Sequence, residues 1–242
     1  MFYYYLTPYL TYNVILVLAA VIPAAYLLLK VYRMDRLEKE SGRFLWNLVK
    51  AGILSSLIAL TSERILFSLL NSSVNSNAFG YRILLYFVIV GLSEEGAKYF
   101  MLKKSSWNSA EFNCLYDGLV YAVFVSLGFA LWENISYVLH YGLANAFVRA
   151  FTAIPGHASF GVFMGVFYSA ARLYANAGYA DKAKGLEVCA VLIPLLIHGL
   201  YDYIATLKSE NGSLIFIAFI AVLFFASNKV ISAASKNDRY IA

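Results

Sequence analysis

Residues 10–32 read LTYNVILVLAAVIPAAYLLLKVY, and residues 33–43 read RMDRLEKESGR. The first stretch holds more than about 20 predominantly apolar residues, the length a helix needs to cross a bilayer. The second is short, polar and basic, as expected of a loop that stops at the membrane surface. Outward from this pair, the same alternation recurs. Apolar runs cover Phe44–Ser62, Tyr81–Leu102, Asp117–Leu139, Phe147–Leu173, Leu186–Leu207 and Leu214–Ala234. The expected fold is therefore all-α: a polytopic transmembrane helix bundle of about seven spanning helices, a single membrane-embedded domain over residues 1–242.

Composition agrees. Apolar residues make up 61% of the 242 and charged residues only 14%, against roughly 25% charge in soluble domains. No segment between the apolar runs exceeds about 20 residues, which leaves no room for a separate soluble catalytic domain. The net charge of +5 is spread between the spans rather than gathered in one patch, so it reads as an orientation signal and no nucleic-acid partner is expected. Arg33–Arg43, Lys103–Lys104, Arg172–Lys184 and the tail with Lys236 and Arg239 are basic. The stretches at Asn71–Phe79, Tyr141–Ala146 and Lys208 are not. Positive residues resist translocation, so the N-terminus is expected outside and the C-terminus in the cytoplasm of a multi-pass cell-membrane protein. The opening MFYYYLTPYLTY has neither a basic start nor a small-residue cleavage site, so the first helix should stay in the mature protein. Its Tyr3–Tyr5 cluster suits an aromatic interface belt or plain helix packing. Cys114 and Cys189 fall near the predicted cytoplasmic helix ends and read as free packing thiols. No phosphate-cradling Gly-Lys motif is present, which argues against ATP-driven transport.

Charge at membrane depth costs a few kcal/mol or more, so each such residue needs a reason. GLSEEGAKYF carries Glu94, Glu95 and Lys98; GFALWENISY carries Glu133 and Asn134; IPGHASFG carries His157; LIHGLYDY carries His198 and Asp202. Four helices thus bring polar groups toward one interior. Lys98 lies four and three residues after the two glutamates and can neutralise one of them. Adjacent carboxylates repel when both are ionised, which suits one of them to general-base work. His198 and Asp202 share a helix face, so the Asp can fix the imidazole tautomer or contact a substrate. Gly161 and Gly165 would let the His157 helix approach a neighbour closely. At about 1.5 Å per residue, Glu94 lies roughly 10 Å from the cytoplasmic face, His157 and His198 roughly 15 Å, and Glu133 roughly 24 Å. Either a later entry of helix four into the bilayer or a bend near Gly128 would bring Glu133 level with the others.

Structural readings stand beside these. Glu94, Glu95 and Lys98 could form an interfacial ion pair, Asn134 could be interhelical glue, and His157 a packing histidine. His140 is assigned to the outer interface, Glu63 and Arg64 to an interfacial pair at the outer end of helix two, and Lys50 to snorkelling. The case for a site rests on the set.

In order along the chain, Glu94-Glu95-Gly96-Ala97-Lys98, Phe129 to Glu133-Asn134, His157 with Gly161, and His198 to Asp202 resemble the motifs of the PrsW family, within the wider CAAX-protease-like group. The resemblance covers roughly Tyr81 to Tyr203 and makes residues 81–207 the expected catalytic core. It implies an intramembrane endopeptidase, of metallo or glutamyl type, that cuts a single-span protein held in the lipid bilayer; some members make the first cut in a membrane-bound anti-sigma factor. Lys98 and Glu133 depart from the Glu-Glu-x-x-x-Arg and Phe-x-x-x-His of the prenyl-protein endopeptidases, which argues against a prenylated substrate.

On this reading Glu94 is the general base and Glu95 holds it, while Glu133 and His157 position water or a metal. His198, backed by Asp202, stabilises the oxyanion or supplies another ligand, and Lys98 and Asn134 support the site. Whether the cofactor is zinc, with ligands drawn from Glu94, Glu95, Glu133, His157 and His198, or whether a metal-free glutamate–histidine pair polarises the water, stays open. The rivals are a proton- or ion-coupled transporter, for which no pseudo-symmetric repeat is found, and a non-enzymatic scaffold subunit, which would not need both glutamates.

Overall fold

Every residue from Asp117 to Ala130 is buried. A helix that is apolar on all sides has protein on all sides, and this half of α5 (Asp117–Tyr141) forms the axis around which the rest is built. The computed structural model describes residues 2–78, 80–207 and 209–241. Phe79, Lys208 and the side chains of residues 2–10, the Tyr3–Tyr5 cluster among them, lie outside the described residues. Around the axis stand α1 (Phe2–Arg33), α2 (Gly42–Ser73), α4 (Leu92–Ser106), α6 (Leu143–Phe151) and α7 (Ala153–Asn176), with α8 (Ala180–Ala205) and α9 (Glu210–Lys236) outside α7.

Among the described residues, six helical segments are long and apolar enough to cross a membrane, with α6 and α7 counted as one. The remaining crossing is composite. The short α3 (Tyr81–Ile83) runs without a break into a π-helical stretch, Leu84–Gly91, and then into α4. Together these give the expected seven-crossing bundle. Its outer faces are apolar: Ile15, Leu18, Ile22, Tyr26 and Leu29 of α1 and Ile217, Val222 and Phe225 of α9 are exposed, as befits elements whose solvent is hydrocarbon.

Small residues set the tightest contacts. A Cβ built on Gly165 would lie 2.5 Å from Leu119 Cα, and one on Gly161 2.9 Å from Ser126 Cβ, so the predicted close approach of the His157 helix is to α5. A Cβ on Gly128 would lie 2.3 Å from the Val49 carbonyl oxygen. Gly128 therefore serves the α2–α5 contact, and α5 runs helical through it rather than ending or restarting there.

Three boundaries differ from expectation. Helix two runs on to Ser73, well past Ser62. The Tyr141–Ala146 loop shrinks to a turn at Gly142, whose φ of 82° only glycine adopts at little cost, and α6 follows directly. Thr152, at φ −119° and ψ −70°, then separates α6 from α7. The depth mismatch also disappears. Counting from the ends nearest the C-terminal segment, Glu133 is 16 residues from Asp117, His157 19 from Asn176 and His198 18 from Ala180. At about 1.5 Å per residue these are about 24, 28 and 27 Å. The histidines, not Glu133, were placed too shallow, because α7 and α8 reach Asn176 and Ala180, past the ends at Leu173 and Leu186 of the apolar runs that announced them.

At that same end the C-terminal segment is clamped to the α4–α5 loop. Leu115 N–H donates to the Arg239 carbonyl at 2.9 Å, Ile241 N–H to the Asn113 carbonyl at 2.8 Å, and Tyr116 N–H to the Asp238 carboxylate at 2.8 Å. Cys114 is buried there, and both cysteines are free thiols. Beside the clamp, Asp35 is buried with neither carboxylate oxygen hydrogen-bonded. Burial pushes this carboxyl up from 3.8 to about 6, opposed by Lys39 and reinforced by Asp238 and Glu38. A carboxyl whose folded pKa lies above its unfolded one favours folding when protonated, so its penalty enters as pH rises through about 4 and is complete above about 6. Detergent-solubilised Asp35→Asn should accordingly be more stable than wild type, with a gap that widens by about 1 kcal/mol between pH 5 and pH 8. Melting curves at the two pH values check this; a constant gap would refute it.

Candidate active site

The π-helical stretch ends where the charged part of its crossing begins, and π turns inside helices often mark functional positions. On the turn that follows, Glu94, Glu95 and Lys98 all face inward. Glu95 and Lys98 are 0% exposed and Glu94 is 8% exposed. The Lys98 ammonium lies 2.7 Å from Glu95 Oε1, 3.2 Å from Glu94 Oε2 and 3.2 Å from His157 Nδ1. An ammonium has three N–H donors and no acceptor; here all three find a partner. Phe129 lies beneath it, with the ring centroid 4.1 Å away.

That geometry fixes the histidine roles. Since Lys98 can only donate, His157 Nδ1 accepts, and its proton sits on Nε2, 2.9 Å from Glu133 Oε2. Glu133 in turn lies 2.9 Å from a terminal nitrogen of Arg149. The Arg149 Nε donates to Asn134 Oδ1 at 2.8 Å, and Asn134 Nδ2 donates to the Ala20 carbonyl at 3.1 Å. On the other side, His198 Nδ1 lies 2.9 Å from Glu95 Oε1. Its Nε2 faces Asp202 Oδ2 at 3.6 Å, beyond hydrogen-bond range. The His198 ring stacks on Phe160 at 4.6 Å. One polar chain thus runs from Arg149 through Glu133, His157, Lys98 and Glu95 to His198.

This chain forms the floor and one wall of a cavity of about 470 Å³ within the bundle. Glu94, Glu133, His157, His198, Asp202 and Arg149 line it, and Glu95 and Lys98 lie behind. The cavity lies toward the ends of α2, α5 and α8 that are remote from the C-terminal segment, since its lining includes Glu63, Ser136, Tyr137 and Asp202.

Comparison with known proteins shows the family. The family model described as PrsW family intramembrane metalloprotease matches residues 40–227. Protease PrsW of Oceanobacillus iheyensis is 32% identical over 222 residues, 90% of this chain and 95% of that protein. The chain belongs to the PrsW family. A second PrsW relative, from Halalkalibacterium halodurans, is 31% identical over 93% of this chain and 99% of its own length. A third, from Bacillus subtilis, is 38% identical over 66% and 72%. No solved structure matches the chain. The protein is accordingly a multi-pass membrane protein and an intramembrane protease.

All six residues expected at the PrsW site, with Lys98 and Asn134, fall within this one constellation. Two charged cavity residues were not anticipated as part of the site. Arg149 sat in what read as the first turn of a span, where an arginine marks only an interface; the Gly142 turn folds α6 back so that Arg149 meets Glu133. Glu63 was assigned to an interfacial pair with Arg64. It lines the cavity instead, and among the described residues it makes no ion pair. His140 is exposed beside Tyr141.

The family description implies a metal, and the residues can be tested for one. Glu94, Glu95 and His157 each offer a ligand atom within 4.8 Å of the others. Lys98 already donates to all three, so this triplet does not suit a divalent cation while Lys98 is charged. Among the described residues no other three such donors lie as close together, so a divalent cation fits here only with Lys98 neutral or displaced.

Proposed function

We propose that this protein is an endopeptidase that hydrolyses a peptide bond of a single-span membrane protein, making the first cut in a membrane-bound anti-sigma factor. The observation that carries the reading is the continuous polar chain on the floor of a cavity inside an apolar bundle. Nothing in helix packing requires three glutamates, two histidines, a lysine and an arginine to converge there, at a cost of a few kcal/mol for each charge. The catalytic region would be residues 81–207 together with the inner face of α2. The basic loops at Arg33–Arg43, Lys103–Lys104 and Arg172–Lys184 support an outside N-terminus and a cytoplasmic C-terminus. That orientation opens the cavity toward the outer half of the bilayer.

Each residue then has a role. Glu94 lines the cavity and takes a proton from the attacking water, while Lys98 holds its other oxygen, Oε2, in place. Glu95 fixes His198 through Nδ1, so that Nε2 points at the cavity and hands a proton to the leaving amine nitrogen. Glu95, on Nδ1, thus stands where a triad carboxylate does, and Asp202 faces the same Nε2 at 3.6 Å from the cavity side. Glu133 and His157 position the peptide, and Arg149 holds Glu133. Zinc, were Lys98 neutral or displaced, would be held by Glu94, Glu95 and His157 and would supply Lewis acidity and a more acidic water.

Purified protein incubated with candidate single-span membrane proteins should yield one defined cut, mapped by mass spectrometry. Elemental analysis, chelation and metal add-back on the same preparation decide the cofactor. Loss on chelation restored by zinc assigns a metal-dependent reaction. Full activity without stoichiometric metal assigns water activation to Glu94 and His198 alone. Cleavage in neither state would sink the protease reading of the site.

A further inference from the structure

The cavity charges do not balance. Glu94 is paired with Lys98, and Glu133 with Arg149. Glu63 and Asp202 also line the cavity. Asp202 has only His198 at 3.6 Å, and among the described residues no cation lies within ion-pair distance of Glu63. Nor does any described hydrogen bond reach it, although Arg64 follows it in sequence. A carboxylate held without a partner at membrane depth is expensive, and Glu63 is aimed at the space where a substrate would lie.

Its position relative to the chemistry can be worked out. Ser56, Ala59, Leu60 and Glu63 all line the cavity; they recur at the spacing of one helix face. Ala59 packs in a cluster with Ala97 and Phe129, level with the turn that carries Lys98. Glu63 is four residues further along α2, about 6 Å. The start of α2 meets the loop after α4 through Ser41 and Glu111, so the two helices run antiparallel, and Glu94, three residues before Ala97, lies about 4.5 Å in the same direction. The two carboxylates therefore line the cavity at nearly the same depth. An extended peptide advances roughly 3.3–3.6 Å per residue, so a long side chain one or two residues from a bond held over Glu94 reaches Glu63. Tyr86 and Trp132 line the same cavity and offer ring faces that favour a cation.

We propose that Glu63 forms a specificity subsite for a basic side chain, lysine or arginine, one or two residues from the cleaved bond of the substrate. The substrate's cation completes the charge of the cavity, and a charge-assisted hydrogen bond to Glu63 fixes the register of the peptide. This inference rests on the protease reading.

The test uses a single-span substrate cleaved by the wild type, with lysine, arginine, glutamine or glutamate placed in turn at each of the residues flanking the cut. Wild type should prefer lysine and arginine at one position, with kcat/KM falling roughly 10- to 100-fold for glutamine there, and further for glutamate. Glu63→Gln, which keeps the shape, should flatten that preference, and Glu63→Lys should reverse it in favour of glutamate. A Glu94-dependent cleavage whose profile is the same in wild type and Glu63→Gln overturns the subsite alone. The absence of any Glu94-dependent cleavage overturns the protease reading and the subsite with it. Should Glu63→Lys fail to fold, the Glu63→Gln profile still decides.

Discussion

Glu94→Gln should lower cleavage of a membrane substrate by roughly 100- to 10,000-fold, the range of a lost general base, while leaving the protein folded. The amide keeps the shape of the side chain and can still accept from Lys98, so the loss falls on proton transfer. Glu95→Gln should also impair turnover, by a different route. Glu95 is fully buried, and its side-chain hydrogen bonds among the described residues are to Lys98 and His198, so its amide would misplace the imidazole rather than remove the base. The pH–rate profile separates the two: Glu95→Gln should shift it through His198, whereas Glu94→Gln should flatten its carboxylate limb. Near-normal turnover in Glu94→Gln, measured on protein with an unchanged melting curve, would refute the assignment of the base.

Lys98→Met is expected to have the largest effect on stability. Lys98 is 0% exposed and bonded to three acceptors. Removing it leaves two adjacent carboxylates and a histidine acceptor buried without their cation, and breaking a buried pair from one side costs about 3–5 kcal/mol. Much of that penalty belongs to the abandoned carboxylates. Lys98→Met combined with Glu95→Gln should therefore regain part of the lost stability without regaining activity. Thermal unfolding in detergent of wild type, both single variants and the double variant forms the cycle. Strict additivity would mean that Lys98 does not act as the internal counter-ion of the site.

Much of this was legible in the sequence, for definite reasons. Apolar runs announce spanning helices because lipid enforces their length, and charges at depth announce a site because lipid makes them costly. Glu94, Glu95, Glu133, His157, His198 and Asp202 could therefore be collected before any coordinates were known. Helix ends were less legible. The apolar run of helix two stops at Ser62, but α2 continues to Ser73, so Glu63 lies inside the bundle rather than at its rim. Arg149 escaped for a related reason: the fold-back at Gly142 is a tertiary event, and local pattern says nothing about which carboxylate an arginine will meet. The offsets of three and four announced the pairing of Lys98 with the glutamates, but His157 as its third acceptor depends on α4 and α7 meeting and has no signature in spacing.

The placement of Lys98 on the same helix as both glutamates bears on how the chain enters the bilayer. On insertion scales a charged residue near the centre of a segment costs roughly 2.5–3.5 kcal/mol, so three such residues would hold the α3–α4 crossing back from partitioning alone. Offsets of three and four residues let the lysine neutralise a glutamate within the helix before any neighbour arrives. The residual negative charge still needs His198, which donates to Glu95, is supplied by α8 and leaves the ribosome later. During biogenesis this crossing should linger at the insertion machinery until its downstream partners appear, so the proteolytic centre would be assembled only after most of the bundle is already in the membrane.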